Sequence, residues 1–147
     1  MSYDIQLRLP HQWISETETF LDESGYEVTH FEATLNSKNP KESPMFIDVY
    51  AGDMPEGETA EDQAFANYAE TVGFSEDDPE DFNPIEKIKF NGKSAWGFAA
   101  LCEDDSPMRF LTQEGRKGLL AVIVFGAGNE ARLNDLQDLI ERNLRIK

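Results

Sequence analysis

The chain is poor in cysteine, histidine and basic residues, and it has no long hydrophobic run. A lone cysteine, Cys102, cannot form an internal disulfide. With one thiol and two imidazoles, His11 and His30, a structural zinc site is not expected. The longest apolar stretch, Leu119 to Phe125, is of strand length. A membrane span needs about 18 or more such residues. The opening, Met1-Ser2-Tyr3-Asp4-Ile5-Gln6, lacks a basic segment leading into an apolar one. The expectation is a cytoplasmic protein with no signal peptide and no membrane association.

Bases are outnumbered, 13 Lys+Arg against 29 Asp+Glu, for a formal charge of −16. Nucleic-acid binding draws its affinity from Lys and Arg on phosphates, so it is excluded as an expectation. Residues 42–86 carry no Lys or Arg at all, yet include Glu42, Asp48, Asp53, Glu76, Asp77, Asp78, Glu80 and Asp81. That segment repels polyanions and attracts a basic protein partner.

What is present is a globular composition, 39% hydrophobic and 11% aromatic, in 147 residues. The length suits a single domain over residues 1–147. Tyr3, Ile5, Leu7 and Leu9 alternate with polar residues, which predicts a strand stopped by Pro10. Residues 14–25 are ambiguous between helix and strand. Tyr26–Leu35 and Met45–Tyr50 read as strands on either side of a Pro- and Asn-rich loop.

Residues 59–72 read as a helix. Thr59 and Asp62 form a capping-box pattern, Ala60, Ala64, Phe65, Tyr68 and Val72 make one stripe, and Gly73 suits the C-terminal cap. An acidic loop, 75–84, follows. Asn91-Gly92 predicts a hairpin, and Gly115–Gly118 predicts a second. Strands 94–102 and 119–125 are apolar on both parities, which places them in a sheet covered on both faces. A helix from about Glu130 closes the chain, with Arg142, Arg145 and Lys147 complementing its C-terminal dipole.

Several motifs are imitations. Gly126-Ala127-Gly128-Asn129-Glu130-Ala131 matches a dinucleotide fingerprint, but no strand returns after the helix. It reads instead as a tight turn that needs flexible glycines. Gly92-Lys93-Ser94 lacks the earlier glycine and following helix of a phosphate loop. The acidic loop has no register with the acids and glycine of a calcium-binding EF-hand. His30 shares parity with Tyr26 and Val28 and reads as a satisfied, half-buried histidine. Cys102 reads as a buried, inert thiol. No catalytic residue, metal site or cofactor is expected. Trp96 reads as core, and Trp13, just after the first strand, as a surface contact residue.

The succession of elements resembles a known fold. A strand ends in Leu9-Pro10 with Trp13 just after it. A helix, a long hairpin through Phe90-Asn91-Gly92-Lys93-Ser94-Ala95-Trp96, a second hairpin and a closing helix ending Asn143-Leu144-Arg145-Ile146-Lys147 complete the order. This order is similar to that of the PsbP-like superfamily, most closely one of its uncharacterised bacterial families. The resemblance implies an α+β protein with an antiparallel β-sheet and helices packed on both faces, an α/β/α sandwich. It implies binding more than catalysis and transfers no functional residue. The expected function is a non-enzymatic protein-binding or adaptor domain, taking a basic partner through Asp77, Asp78, Glu80, Asp81 and Trp13. The alternative is a small-molecule-binding protein or an enzyme with carboxylates in a cleft, which a deep pocket of converging polar groups would favour. A nucleic-acid mimic with acids spaced like phosphates is a third reading.

Overall fold

The computed structural model describes residues 3–35, 45–73, 77 and 83–147. Its strands are Ile5–Leu7 (β1), Ile14–Leu21 (β2), Glu27–Leu35 (β3), Met45–Asp53 (β4), Glu86–Phe90 (β5), Lys93–Leu101 (β6), Pro107–Glu114 (β7), Leu119–Gly126 (β8) and Leu144–Ile146 (β9). Its helices are Ala60–Thr71 (α1) and Glu130–Asn143 (α2). The protein is thus α+β. Seven strands form one sheet in the order β2-β3-β4-β8-β7-β6-β5, and every pairing in it is antiparallel.

Short-range chemistry makes the hairpins. Asn91 and Gly92 take φ values of 57° and 80°, the left-handed pair that a type I′ turn requires. Lys117 and Gly118 repeat the device, at 58° and 77°, between β7 and β8. The expected capping box of α1 is formed in both directions. The Asp62 N–H donates to Thr59 Oγ1 at 3.2 Å, and the Thr59 N–H donates to Asp62 Oδ2 at 3.0 Å. Ala60, Ala64 and Tyr68 of its stripe are buried, whereas Phe65 and Val72 are exposed. The Asn129 side chain caps α2 by accepting the Arg132 N–H at 2.9 Å.

The core lies on one side of the central strands. Ile47, Val49 and Ala51 of β4 pair with Phe125, Ile123 and Ala121 of β8, and all six are buried. Leu133, Leu136 and Ile140 of α2 and Leu144 of β9 join them in one cluster with Phe31 and Leu111. Arg109 fastens β7 to α2, donating to Gln137 Oε1 at 2.8 Å and Glu130 Oε2 at 3.0 Å. On the other strand parity, Phe98 stacks on Phe110 with centroids 4.6 Å apart, and Tyr68 of α1 meets Phe98 edge-on at 5.4 Å. Strand β8 is central, as its two apolar parities require. One parity is fully buried; on the other, Leu120 and Val122 keep partial exposure.

The structure completes two sequence readings and corrects three. Residues 14–21 form an edge strand. The first strand does not join the large sheet. It pairs with β9, Ile5 opposite Ile146 and Leu7 opposite Leu144. The chain therefore closes on a strand, so Arg145 and Lys147 lie outside the helix whose dipole they were expected to complement. Gly126 and Gly128 have no positive φ, so flexibility is not their purpose. Gly126 instead makes room for the Phe46 ring, whose Cζ would stand 2.9 Å from an added Cβ. Cys102 is half-buried rather than enclosed, at the turn after β6. No helix among the described residues is long and apolar enough to cross a membrane.

Candidate functional site

Alternation along β2 sends Ile14, Glu16, Glu18 and Phe20 to one side of the sheet. Register then builds two rows across β2, β3 and β4. Glu16 lies opposite Glu32, which lies opposite Asp48. Glu18 lies opposite His30, which lies opposite Tyr50. The result is a patch of four carboxylates, one imidazole and one phenol, all from regular strands.

His30 is its centre. Its side chain is only 12% exposed. Its ring stacks on Tyr50, with centroids 4.3 Å apart and planes 5° from parallel. Nε2 is 2.8 Å from Asp48 Oδ1 and Nδ1 is 3.4 Å from Glu18 Oε1. When both nitrogens carry protons, the ring donates in both directions. Burial, and after it the charges of Asp48, Glu32 and Glu18, holds the Tyr50 phenol above its usual range. It stays a neutral donor beside those acids. His30, Glu32 and Asp48 each offer a ligand atom, all within 4.8 Å of one another, and are the described residues best placed to hold a metal ion. A basic side chain suits the same carboxylates as hydrogen-bond acceptors.

Strand β2 borders this patch. All eight of its residues are exposed, and only β3 pairs with it among the described residues. Among the described residues, its outer backbone edge is open to a further strand. Exposure is 71% at Ile14, 41% at Phe20 and 70% at Leu21, so apolar side chains flank the two glutamates.

The residues expected from sequence fall elsewhere. Asp77 is exposed in a turn. Asp78, Glu80 and Asp81 lie outside the described residues. Trp13 is partly buried and packs against the hydrophobic core. His30 is half-buried and satisfied by partners, as its strand parity suggested. The sequence reading missed Glu16, Glu18 and Glu32 as a group. Their signal was present as glutamates at every second position among β-branched residues (Ile14-Ser-Glu16-Thr17-Glu18-Thr19). Only cross-strand register could reveal that Asp48 and Glu32 meet.

Neither a protein-family profile nor a curated protein matches the chain. Among solved structures it is similar to LpqN of Mycobacterium tuberculosis, described as involved in cell envelope biogenesis. The identity is 15% and the TM-score 0.49, over 99% of this chain and 84% of that one.

Proposed function

We propose that this protein is a non-enzymatic binding domain that adds a basic, extended segment of a partner protein to the free edge of β2. One observation carries the reading: an eight-residue edge strand, exposed throughout, beside a registered patch of Glu16, Glu18, Glu32 and Asp48. An added strand would satisfy the open backbone edge. Lys or Arg at alternate positions would face Glu16 and Glu18, with apolar residues near Ile14 and Phe20. A second copy of this chain suits the edge poorly. Antiparallel self-pairing about Thr17 sets Glu16 against Glu18, and like charges directly opposite are unfavourable.

The same proposal includes an α/β/α layering of the PsbP-like kind. Its support is that Tyr68 of α1 packs on Phe98, while Leu133 and Ile140 of α2 cluster with Ile123, on the opposite parity. It also retains the cytoplasmic setting, supported by composition.

The test is a titration of 15N-labelled protein with a synthetic peptide carrying Lys at alternate positions. The expected result is saturable shifts concentrated in β2 amides, weakened by Glu16→Gln with Glu18→Gln and by added salt. Shifts centred away from β2, or equal binding of a peptide with Ser in place of Lys, would overturn the reading.

A further inference from the structure

The bases of this acidic chain are not scattered. A half-open cavity of about 540 Å³ is lined by Lys93, Arg116, Lys117, Arg145 and Lys147. These are five of the chain's 13 Lys and Arg residues, and no Asp or Glu lines the cavity. Among the described residues, none of the five forms an ion pair with a carboxylate. In a protein with 29 acids, unneutralised cations gathered at one hollow form a distinct electrostatic feature.

Fold topology makes the gathering. The tips of two hairpins, β5–β6 and β7–β8, reach the same end of the sheet. One brings Lys93 and the other brings Arg116 and Lys117. Strand β9 and the residue after it bring Arg145 and Lys147. Each piece is pinned through its backbone. The Asn91 N–H donates to Glu141 Oε2 at 2.6 Å. The Gly115 N–H donates to the Leu119 carbonyl at 2.8 Å, and Asp4 and Lys147 exchange backbone bonds at 2.8 and 2.9 Å. Gln113 Nε2 donates to the Phe90 carbonyl at 2.8 Å.

Behind the charged rim the lining includes the buried apolar residues Phe90, Leu119, Ala121 and Leu144, with the polar side chains of Tyr3, Asn91 and Gln113 beside them. A hollow of this size lies within the ~300–1,000 Å³ usual for small-molecule sites. Two carboxylates lie just outside the lining, both charged and both oriented by other bonds: Asp53 accepts the Tyr3 hydroxyl at 2.6 Å, and Glu141 accepts the Asn91 N–H at 2.6 Å.

We propose that this cavity binds a small amphiphilic anion: a phosphate or carboxylate head held by Arg116, Arg145 and the three lysines, with a hydrocarbon body against Phe90, Leu119 and Leu144. The chain's charge of −16 selects for size. A long polyanion or an anionic membrane meets the whole negative surface, whereas a small head within the cavity meets the nearby cations first. This site shares no residue with the β2 edge, so its test is independent of the function proposed above.

The experiment is calorimetry with octyl phosphate and octanoate, both kept monomeric, against octanol and inorganic phosphate. Vesicles containing phosphatidylglycerol form a separate arm. The expected result is saturable one-site binding of both amphiphiles, with octanol and inorganic phosphate each much weaker. Combining Arg116→Gln with Arg145→Gln should weaken octyl phosphate by about tenfold, and added salt should weaken it too. Both residues are exposed, and an unchanged melting curve will show that the double variant is folded. Arg116→Lys with Arg145→Lys should keep most of the affinity. The proposal is overturned by absence of saturable octyl phosphate binding, by unchanged affinity in the Gln variant, by octanol or inorganic phosphate binding as tightly, or by capture on vesicles alone.

Discussion

Alanine at position 126 should destabilise the fold for a steric reason. Gly126 ends β8 directly opposite Phe46 of β4 and is buried. A Cβ there would overlap Cε1 of the Phe46 ring and stand 2.9 Å from Cζ and 3.2 Å from Cδ1. The obstacle is the far end of a partly exposed side chain, so the ring can swing aside without moving the backbone. Forcing extra volume into a packed site of this kind costs about 1–3 kcal/mol. The same change narrows the unfolded ensemble, which offsets about 0.4–1 kcal/mol. The net expectation is a loss of about 1–2 kcal/mol, or roughly 3–8 °C in Tm for a chain of this length. Urea unfolding should show a lower midpoint with an unchanged slope. A Phe46→Ala background separates the two contributions. With the ring gone only the chain-entropy effect remains, so Gly126→Ala should then stabilise by about 0.4–1 kcal/mol. A stabilising effect in the otherwise native chain, or the same effect in both backgrounds, would refute the steric account.

Thr112 is fully buried and, among the described residues, its Oγ1 has no hydrogen-bond partner. Thr112→Val keeps the shape and removes the stranded hydroxyl, so urea unfolding should show a gain of about 1 kcal/mol. The Tyr3–Asp53 hydrogen bond should make stability pH-dependent at both ends. Burial, with the bond to Asp53, pushes the Tyr3 phenol up to about 12. Its contribution is complete below the unfolded value of 10.0 and is lost as pH rises towards 12. The bond from Tyr3 holds the Asp53 carboxyl below its usual range, so that contribution is present above the unfolded value of 3.8 and fades as pH falls through the folded one. Melting curves of Tyr3→Phe should therefore differ most from the parent at pH 5–9 and converge towards both extremes. Neutralising Asp78, Glu80 and Asp81 to Asn or Gln should leave Tm unchanged or slightly raised, since like charges close together in the chain repel. Stopped-flow association with a basic partner should slow, less so at high salt. A large fall in Tm would show that these acids make specific native contacts.

Chemistry confined to a few neighbouring residues could be read from the sequence. Asn91-Gly92 specifies its turn because few residues accept two successive positive φ values. Thr59 and Asp62 cap α1 through bonds three residues apart. The apolar parities of residues 119–125 place that strand centrally because only a covered sheet accepts them. Other features depended on distant segments meeting. Leu144–Ile146 continues the pattern of α2 and becomes a strand only because Ile5 and Leu7 lie alongside. Residues 14–21 carry too few core residues to declare a strand, and pairing with β3 decides it. Gly126 looks like a flexible joint until Phe46 arrives from another strand. The sites follow the same division. Net charge foretold an acidic face, but not which acids share it, because Glu16, Glu32 and Asp48 are neighbours only across register. The five cations of the cavity are spread from Lys93 to Lys147, and two hairpin tips and a terminal strand bring them together.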